Sequence, residues 1–266
     1  MNSSRHQVNG FTLVEMMVAL VAGMIVSTAL VAFMLSSMKS NGEYVQSTRL
    51  TQELRNTLDL LTRDLLRAGY DDDGMNYVGK TNVSPFTPVC ITAAGAPGTC
   101  VAAGSSGDCV IYAYDRTHPN GSSAAAGTAG VRDLGNGEVR GIRRRTITNA
   151  NGISVGVIEY AVSQGTTKPA CDGAAATYSS NPPTCDATSL WCPLSDPTTL
   201  DITSLIIANN SSQIGFNPSA LISRKFDITL VGRPTGKADL SRDVRTSLKI
   251  RSDCLRATIA NCTASP

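Results

Sequence analysis

Histidine is scarce in this sequence, with two among 266 residues, and tryptophan occurs once. So few imidazoles leave little for acid–base or metal chemistry to draw on. The H-E-x-x-H of zinc peptidases does not occur, and the one G-x-S-x-G string, Gly152 to Gly156, runs from a turn into a strand pattern rather than from a strand into a helix as a hydrolase elbow does. Gly135, Gly137 and Gly141 have the wrong spacing for a dinucleotide loop. An excess of one charge sign is lacking too, since 23 Lys and Arg are set against 21 Asp and Glu. No basic field marks a nucleic-acid partner and no acidic tail marks disorder. An enzyme, a cofactor and a resident metal are therefore not expected. The length fits one medium domain with an appendage.

Two further absences shape the N-terminus. No charged residue occurs from Met16 to Met38, and no proline from Phe11 to Ala68. As a helix rising about 1.5 Å per residue, the uncharged run spans roughly 35 Å, enough to cross a bilayer. Arg5 is the one fixed side-chain charge in the leading segment MNSSRHQVNG, and a cation there holds that end in the cytoplasm. The chain beyond the span then lies outside, where cysteines oxidise. The run is longer than the roughly 7–15 apolar residues of a secretory signal. Glu15 at its head is costly there unless the carboxylate finds a partner or snorkels to the headgroups.

Gly10-Phe11-Thr12-Leu13-Val14-Glu15 followed by an apolar helix resembles the processing signature of type IV pilins and their pseudopilin relatives. The resemblance implies that prepilin peptidase cuts after Gly10 and that Phe11 becomes the methylated terminus. It also implies that Glu15 engages the terminal amine of a neighbouring subunit. Such pairing in an apolar filament core relieves two charges that are each expensive alone. The segments implied are a leader at 1–10, a transmembrane and filament-core helix at 11–38, an amphipathic helix at 39–69 and a head at 70–266. Implied partners are the peptidase, other minor pilins, the major pilin, the pilus assembly platform and, before assembly, the inner membrane.

Leu50, Leu54, Leu58, Leu61, Leu65 and Ala68 fall on one face of a helix, the face able to pack on a head, and Gly69 is a natural stop. Gly23 and Gly42 are weak points or close-packing positions in the same helix. The stretch from Leu50 to Tyr70 resembles the minor-pilin branch called PilW and, more distantly, the large minor pseudopilins of type II secretion. The implied function is a minor pilin that primes or caps a type IV pilus, with a type II minor pseudopilin as the alternative. The first implies a subunit held in the inner membrane with a periplasmic head, then carried on the cell surface.

Beyond residue 70 the pattern is short strands among polar loops. Val110 to Tyr114 and Ile153 to Val162 are rich in β-branched and aromatic residues, with a turn at Asn149 to Gly152. Phe226 to Leu230 alternates, Arg233 to Gly236 can turn, and Val244 to Ile250 returns. The fold class expected is α+β, an antiparallel sheet on the long helix. The Ala-, Gly- and Ser-rich stretches Ala93 to Gly107, Pro119 to Gly130 and Gln164 to Pro193 read as floppy loops. They hold or border Cys90, Cys100, Cys109, Cys171, Cys185 and Cys192, and disulfides suffice to staple them. Cys254 with Cys262 is the simplest local pair, while eight cysteines allow 105 pairings in all.

Arg140, Arg143, Arg144 and Arg145, with Arg132 nearby, form a basic cluster that reads as a solvated edge strand, with Arg143 and Arg145 on one face and Arg144 on the other. Asp71, Asp72 and Asp73, with Asn76, could offer oxygen ligands to calcium, but the spacing and distal Glu of an EF-hand are missing, and an acidic turn explains them. His118 stands alone before Pro119, and His6 falls in the leader.

Overall fold

The computed structural model describes residues 10–72, 74, 84–93, 98–116, 132–180, 182–215, 221–255, 262 and 266. Helix α1 runs over Leu13–Leu65, uninterrupted by proline. Two compact units divide the chain, Met1–Thr48 and Arg49–Pro266. In the first, every described residue from 10 to 46 is exposed. In the second, Leu50, Leu54, Leu58, Leu61 and Leu65 are buried, as are Thr57 and, beyond the helix, Ala68. The apolar spacing thus marks the face that packs.

After Leu65 the chain makes a turn. Gly69 takes a left-handed φ of +75°, and a Cβ there would meet the Arg224 guanidinium at 2.5 Å. The Gly69 N–H donates to Ala113 O at 2.7 Å and the Asp115 N–H to Tyr70 O at 2.9 Å, tying the turn to the sheet.

The described strands are β1 (Val89–Thr92), β2 (Ser106–Gly107), β3 (Cys109–Ala113), β4 (Val139–Thr148), β5 (Ser154–Val162), β6 (Trp191–Pro193), β7 (Leu200–Asn209), β8 (Ser212–Ile214), β9 (Leu221–Ser223), β10 (Lys225–Pro234), β11 (Arg242–Lys249) and β12 (Cys254–Leu255). They form antiparallel sheets ordered β1-β3-β4-β5-β6, β11-β10-β7-β2 and β12-β9-β8. The expected turn at Asn149 to Gly152 joins β4 to β5, and β10 returns as β11. A register shift at Val231/Gly232 lets α1 pass close, with Leu54 Cδ2 only 2.9 Å from where a Cβ on Gly232 would stand.

Period-two alternation explains how the first sheet is buried on both faces. Val110 and Tyr112 of β3 join the α1 leucines, together with Ile202, Leu205, Ile207, Phe226, Ile228 and Leu230 of the second sheet. Their neighbours Cys109, Ile111 and Ala113 join a second cluster with Phe86, Val139, Ala161, Leu190 and Trp191. This is an α+β, pilin-like architecture. Four disulfides bind it: Cys90–Cys100, Cys109–Cys171, Cys185–Cys192 and Cys254–Cys262.

Two expectations are corrected. The basic cluster is not a solvated edge, because β4 lies inside its sheet between β3 and β5. Arg143 is buried against Glu159, with Nε at 2.8 Å and Nη2 at 2.7 Å from Oε2. Its remaining donors reach Cys171 O, Gly173 O and Ala174 O, and it stacks 4.0 Å from the Trp191 ring centroid. Arg145 reaches Gly173 O at 2.7 Å, Arg144 reaches Ile202 O at 2.7 Å and Arg132 reaches Pro85 O at 3.3 Å. Nor is Gln164 to Pro193 floppy where described. Arg143 and Arg145 hold its carbonyls, Glu159 accepts the Ala176 N–H at 2.9 Å, and Trp191 Nε1 donates to Ala170 O at 2.9 Å. Pro119 to Gly130 and His118 lie outside the described residues.

Candidate assembly site at the N-terminal helix

The site is built on the first turn of α1. Thr12 precedes the helix as its N-cap: its Oγ1 accepts the Glu15 N–H at 3.2 Å and its carbonyl accepts the Met16 N–H at 3.2 Å. Thr12-Leu13-Val14-Glu15 thus has the spacing of a capping box, which places Glu15 in the first turn. The same four residues carry that capping signal in the sequence, inside the longer string that marks Glu15 itself. Phe11 is 80% exposed, and nothing lies within 4 Å of where a Cβ on Gly10 would stand. Gly10 and Phe11 are thus both exposed.

From this turn the helix presents apolar side chains on all sides, with Phe11, Leu13, Met16, Leu20, Met24 and Phe33 among those at least 60% exposed. It is long and apolar enough to cross a membrane. A helix apolar all round needs lipid or other helices about it. Arg5 and His6 lie outside the described residues.

The other candidates do not converge on a site. Among the described residues no group of three or more His, Cys, Asp or Glu could hold a metal. Asp71 accepts the Ser84 hydroxyl, and the Asp72 N–H donates to Asp115 at 3.4 Å. Asp73 and Asn76 lie outside the described residues. Residues 74–81, GMNYVGKT, do spell the phosphate-loop pattern G-x-x-x-x-G-K-T. A phosphate loop joins a strand to a helix, whereas this string comes after the turn that ends α1, and residues 75–83 lie outside the described set.

Comparison with known proteins bears on the same two features. The model of the prokaryotic N-terminal methylation motif matches residues 5–31. The family described as prepilin peptidase-dependent protein B matches residues 43–250, most of the chain. The chain belongs to that family. No curated protein and no solved structure matches it. The methylation match covers the capped first turn, and the prepilin peptidase-dependent protein B match covers the amphipathic half of α1 and the strands from β1 to β11. Together they support a pilin-like subunit anchored in the membrane by α1.

Proposed function

We propose that this protein is a minor pilin of a type IV pilus, of the PilW-type branch, which primes or caps the filament. Prepilin peptidase cleaves after Gly10, Phe11 is methylated, and Glu15 meets the terminal amine of a neighbouring subunit. The observation that carries the reading is the Gly10-to-Glu15 string at the capped start of a helix whose apolar half is exposed. An amine at Phe11 and a carboxylate at Glu15 are each costly in hydrocarbon and compensate one another across subunits. The reading places the subunit in the inner membrane with a periplasmic head until the assembly platform passes it to a surface filament of other minor pilins and the major pilin. Its role is structural, with peptide cleavage and methylation performed by partners.

Mass spectrometry of sheared surface filaments beside the membrane fraction tests this. N-methyl-Phe11 peptides in filaments, together with other pilins, are expected. Processed protein confined to the envelope would assign it to a type II secretion pseudopilus, and an intact Met1 would overturn processing altogether.

A further inference from the structure

The stripe that docks α1 on the head is repetitive. Leucine occupies positions 50, 54, 58, 61 and 65, all buried. A displacement of four residues, about 6 Å along the axis, returns leucine to most of these sites. Moving toward the N-terminus, Leu54, Leu58 and Leu65 would take the sites of Leu50, Leu54 and Leu61, Thr62 would take that of Leu58, and no leucine would reach that of Leu65. Moving the other way, Leu50, Leu54 and Leu61 would take the sites of Leu54, Leu58 and Leu65, with Gln46 and Thr57 at those of Leu50 and Leu61. Apolar burial is non-directional, and uniform leucine packing under-specifies register.

The turn after the helix does not forbid a slip toward the N-terminus. Residues 66–69 are coiled, and stretching them to about 3.3 Å each supplies on the order of 6 Å. The cost is the leucine lost from the sites of Leu58 and Leu65, the Gly69–Ala113 hydrogen bond and the burial of Ala68.

One polar side chain interrupts the degeneracy. Asp64, one residue before the end of α1, receives the hydroxyls of Tyr112, by a short bond, and Tyr114, at 3.0 Å. Arg140 Nη1 donates to both of its oxygens at 3.3 Å, and the Arg140 guanidinium lies 4.9 Å from the Tyr114 ring centroid. Two strands, β3 with its extension and β4, thus converge on one carboxylate. Tyr112 is fully buried, and burial followed by the nearby Asp64 charge raises its phenol well above the ordinary value, keeping it a donor. A four-residue slip toward the N-terminus would carry Asp64 about 6 Å away, and the opposite slip would put Leu60 here, leaving Tyr112 without its acceptor and Arg140 without its ion-pair partner. An unsatisfied buried donor costs about 1–3 kcal/mol, more for a charged one.

We infer that Asp64 is the positioning residue that fixes the register of α1 against the sheets, in the way a single buried polar residue fixes the register of a coiled coil. The leucines supply the affinity and narrow the choice of register, and Asp64 adds the directional contact that selects one placement over those in which three of the five leucine sites are refilled. Its consequence for filaments rests on the pilin reading above, since the same helix carries Phe11 and Glu15. The register itself does not.

The test is therefore a distance measurement on the full-length protein in detergent. Genetically encoded spin-label residues replace Asn56 on the helix, paired in turn with exposed Ala150 and Ala238, leaving the native disulfides intact. The parent should give one narrow distance for each pair. Asp64→Ala should add a second population, displaced by about 6 Å along the helix. The double change Tyr112→Phe with Tyr114→Phe, which preserves the ring packing, should populate the same second distance more weakly. A narrow, unshifted distribution in either the folded Asp64→Ala protein or the double phenylalanine protein would overturn the inference. Failure to find the subunit in filaments would bear only on the pilin reading.

Discussion

Arg143 and Glu159 lie opposite one another on β4 and β5 as an ion pair whose side chains are 2% and 0% exposed. Burial lowers the Arg143 pKa, and the Glu159 charge opposes that shift. The pair tolerates burial because nearly every donor is used: Glu159, three loop carbonyls and the face of Trp191 surround one guanidinium. It ties the sheet to the loop that the Cys109–Cys171 disulfide also anchors.

Removing one partner should therefore cost far more than removing both. Glu159→Leu leaves a buried, uncompensated cation and is expected to lose about 3–5 kcal/mol in denaturant unfolding. The double change Arg143→Met with Glu159→Leu should recover most of that loss. Trp191 is the chain's one tryptophan and stacks on Arg143, so its fluorescence reports the unfolding directly.

The four disulfides should contribute unequally. Cys109–Cys171 closes 62 residues of chain and Cys185–Cys192 closes 7. On the chain-entropy account the first constrains the unfolded state by about 4 kcal/mol and the second by about 2.5. Replacing each pair with alanines, one pair at a time, should lower the Tm more for Cys109 and Cys171. Equal losses would show that local packing, rather than loop closure, sets the effect.

Much of the fold was legible because it is periodic. The leucines at 50, 54, 58, 61 and 65 announce a docked helix, and Asn149 to Gly152 announces the β4–β5 turn. The first turn of α1 was legible as a recognition string. The hidden part depends on distant partners. Nothing local tells Arg143 that Glu159 and Trp191 await it, so a row of arginines reads as solvent-facing. The pairing of Cys109 with Cys171 depends on which strands become neighbours, which no spacing encodes. Asp64 sits in a helix half full of charges, and its role appears only when Tyr112, Tyr114 and Arg140 are brought to it.

Two aspartates should impose opposite pH dependences. Burial raises the carboxyl of Asp108 above its ordinary value, so the folded state holds its proton to higher pH than the unfolded chain does. Stability from this group falls as pH rises from about 4 upward. Asp108→Asn should raise the Tm at pH 7 and lose that advantage in acid. Asp186 is the reverse, its carboxylate favoured chiefly by the Ser189 N–H, so its contribution is present above about pH 4 and lost as pH falls below it. Asp186→Asn should lower the Tm at pH 7 and make little difference at about pH 2.

Thr12 should matter for the helix start. Thr12→Val keeps the shape of the side chain and removes the acceptor of the Glu15 N–H, costing about 1 kcal/mol of cap. Amide hydrogen exchange of the full-length protein in micelles should show faster exchange at Glu15 and little change beyond the second turn. Unchanged protection would mean that another group satisfies that amide.

Gly10 and Glu15 should separate processing from assembly. Gly10→Trp puts a large side chain into space that is open within 4 Å of the Cβ position, at the residue preceding the proposed cleavage bond. The precursor should then keep Met1 and stay in the membrane. Glu15→Val lies five residues beyond that bond, so the protein should be cleaved normally. It loses the carboxylate proposed to compensate a neighbour's terminal amine, and an uncompensated ammonium in an apolar core is expensive. Its share of sheared filaments, relative to its membrane pool, should fall tenfold or more, equivalent to about 1.4 kcal/mol or more. Normal cleavage of the first variant would argue against the peptidase site. Unchanged incorporation of the second would argue against pairing between subunits, leaving Glu15 only as an acid in the first turn of α1.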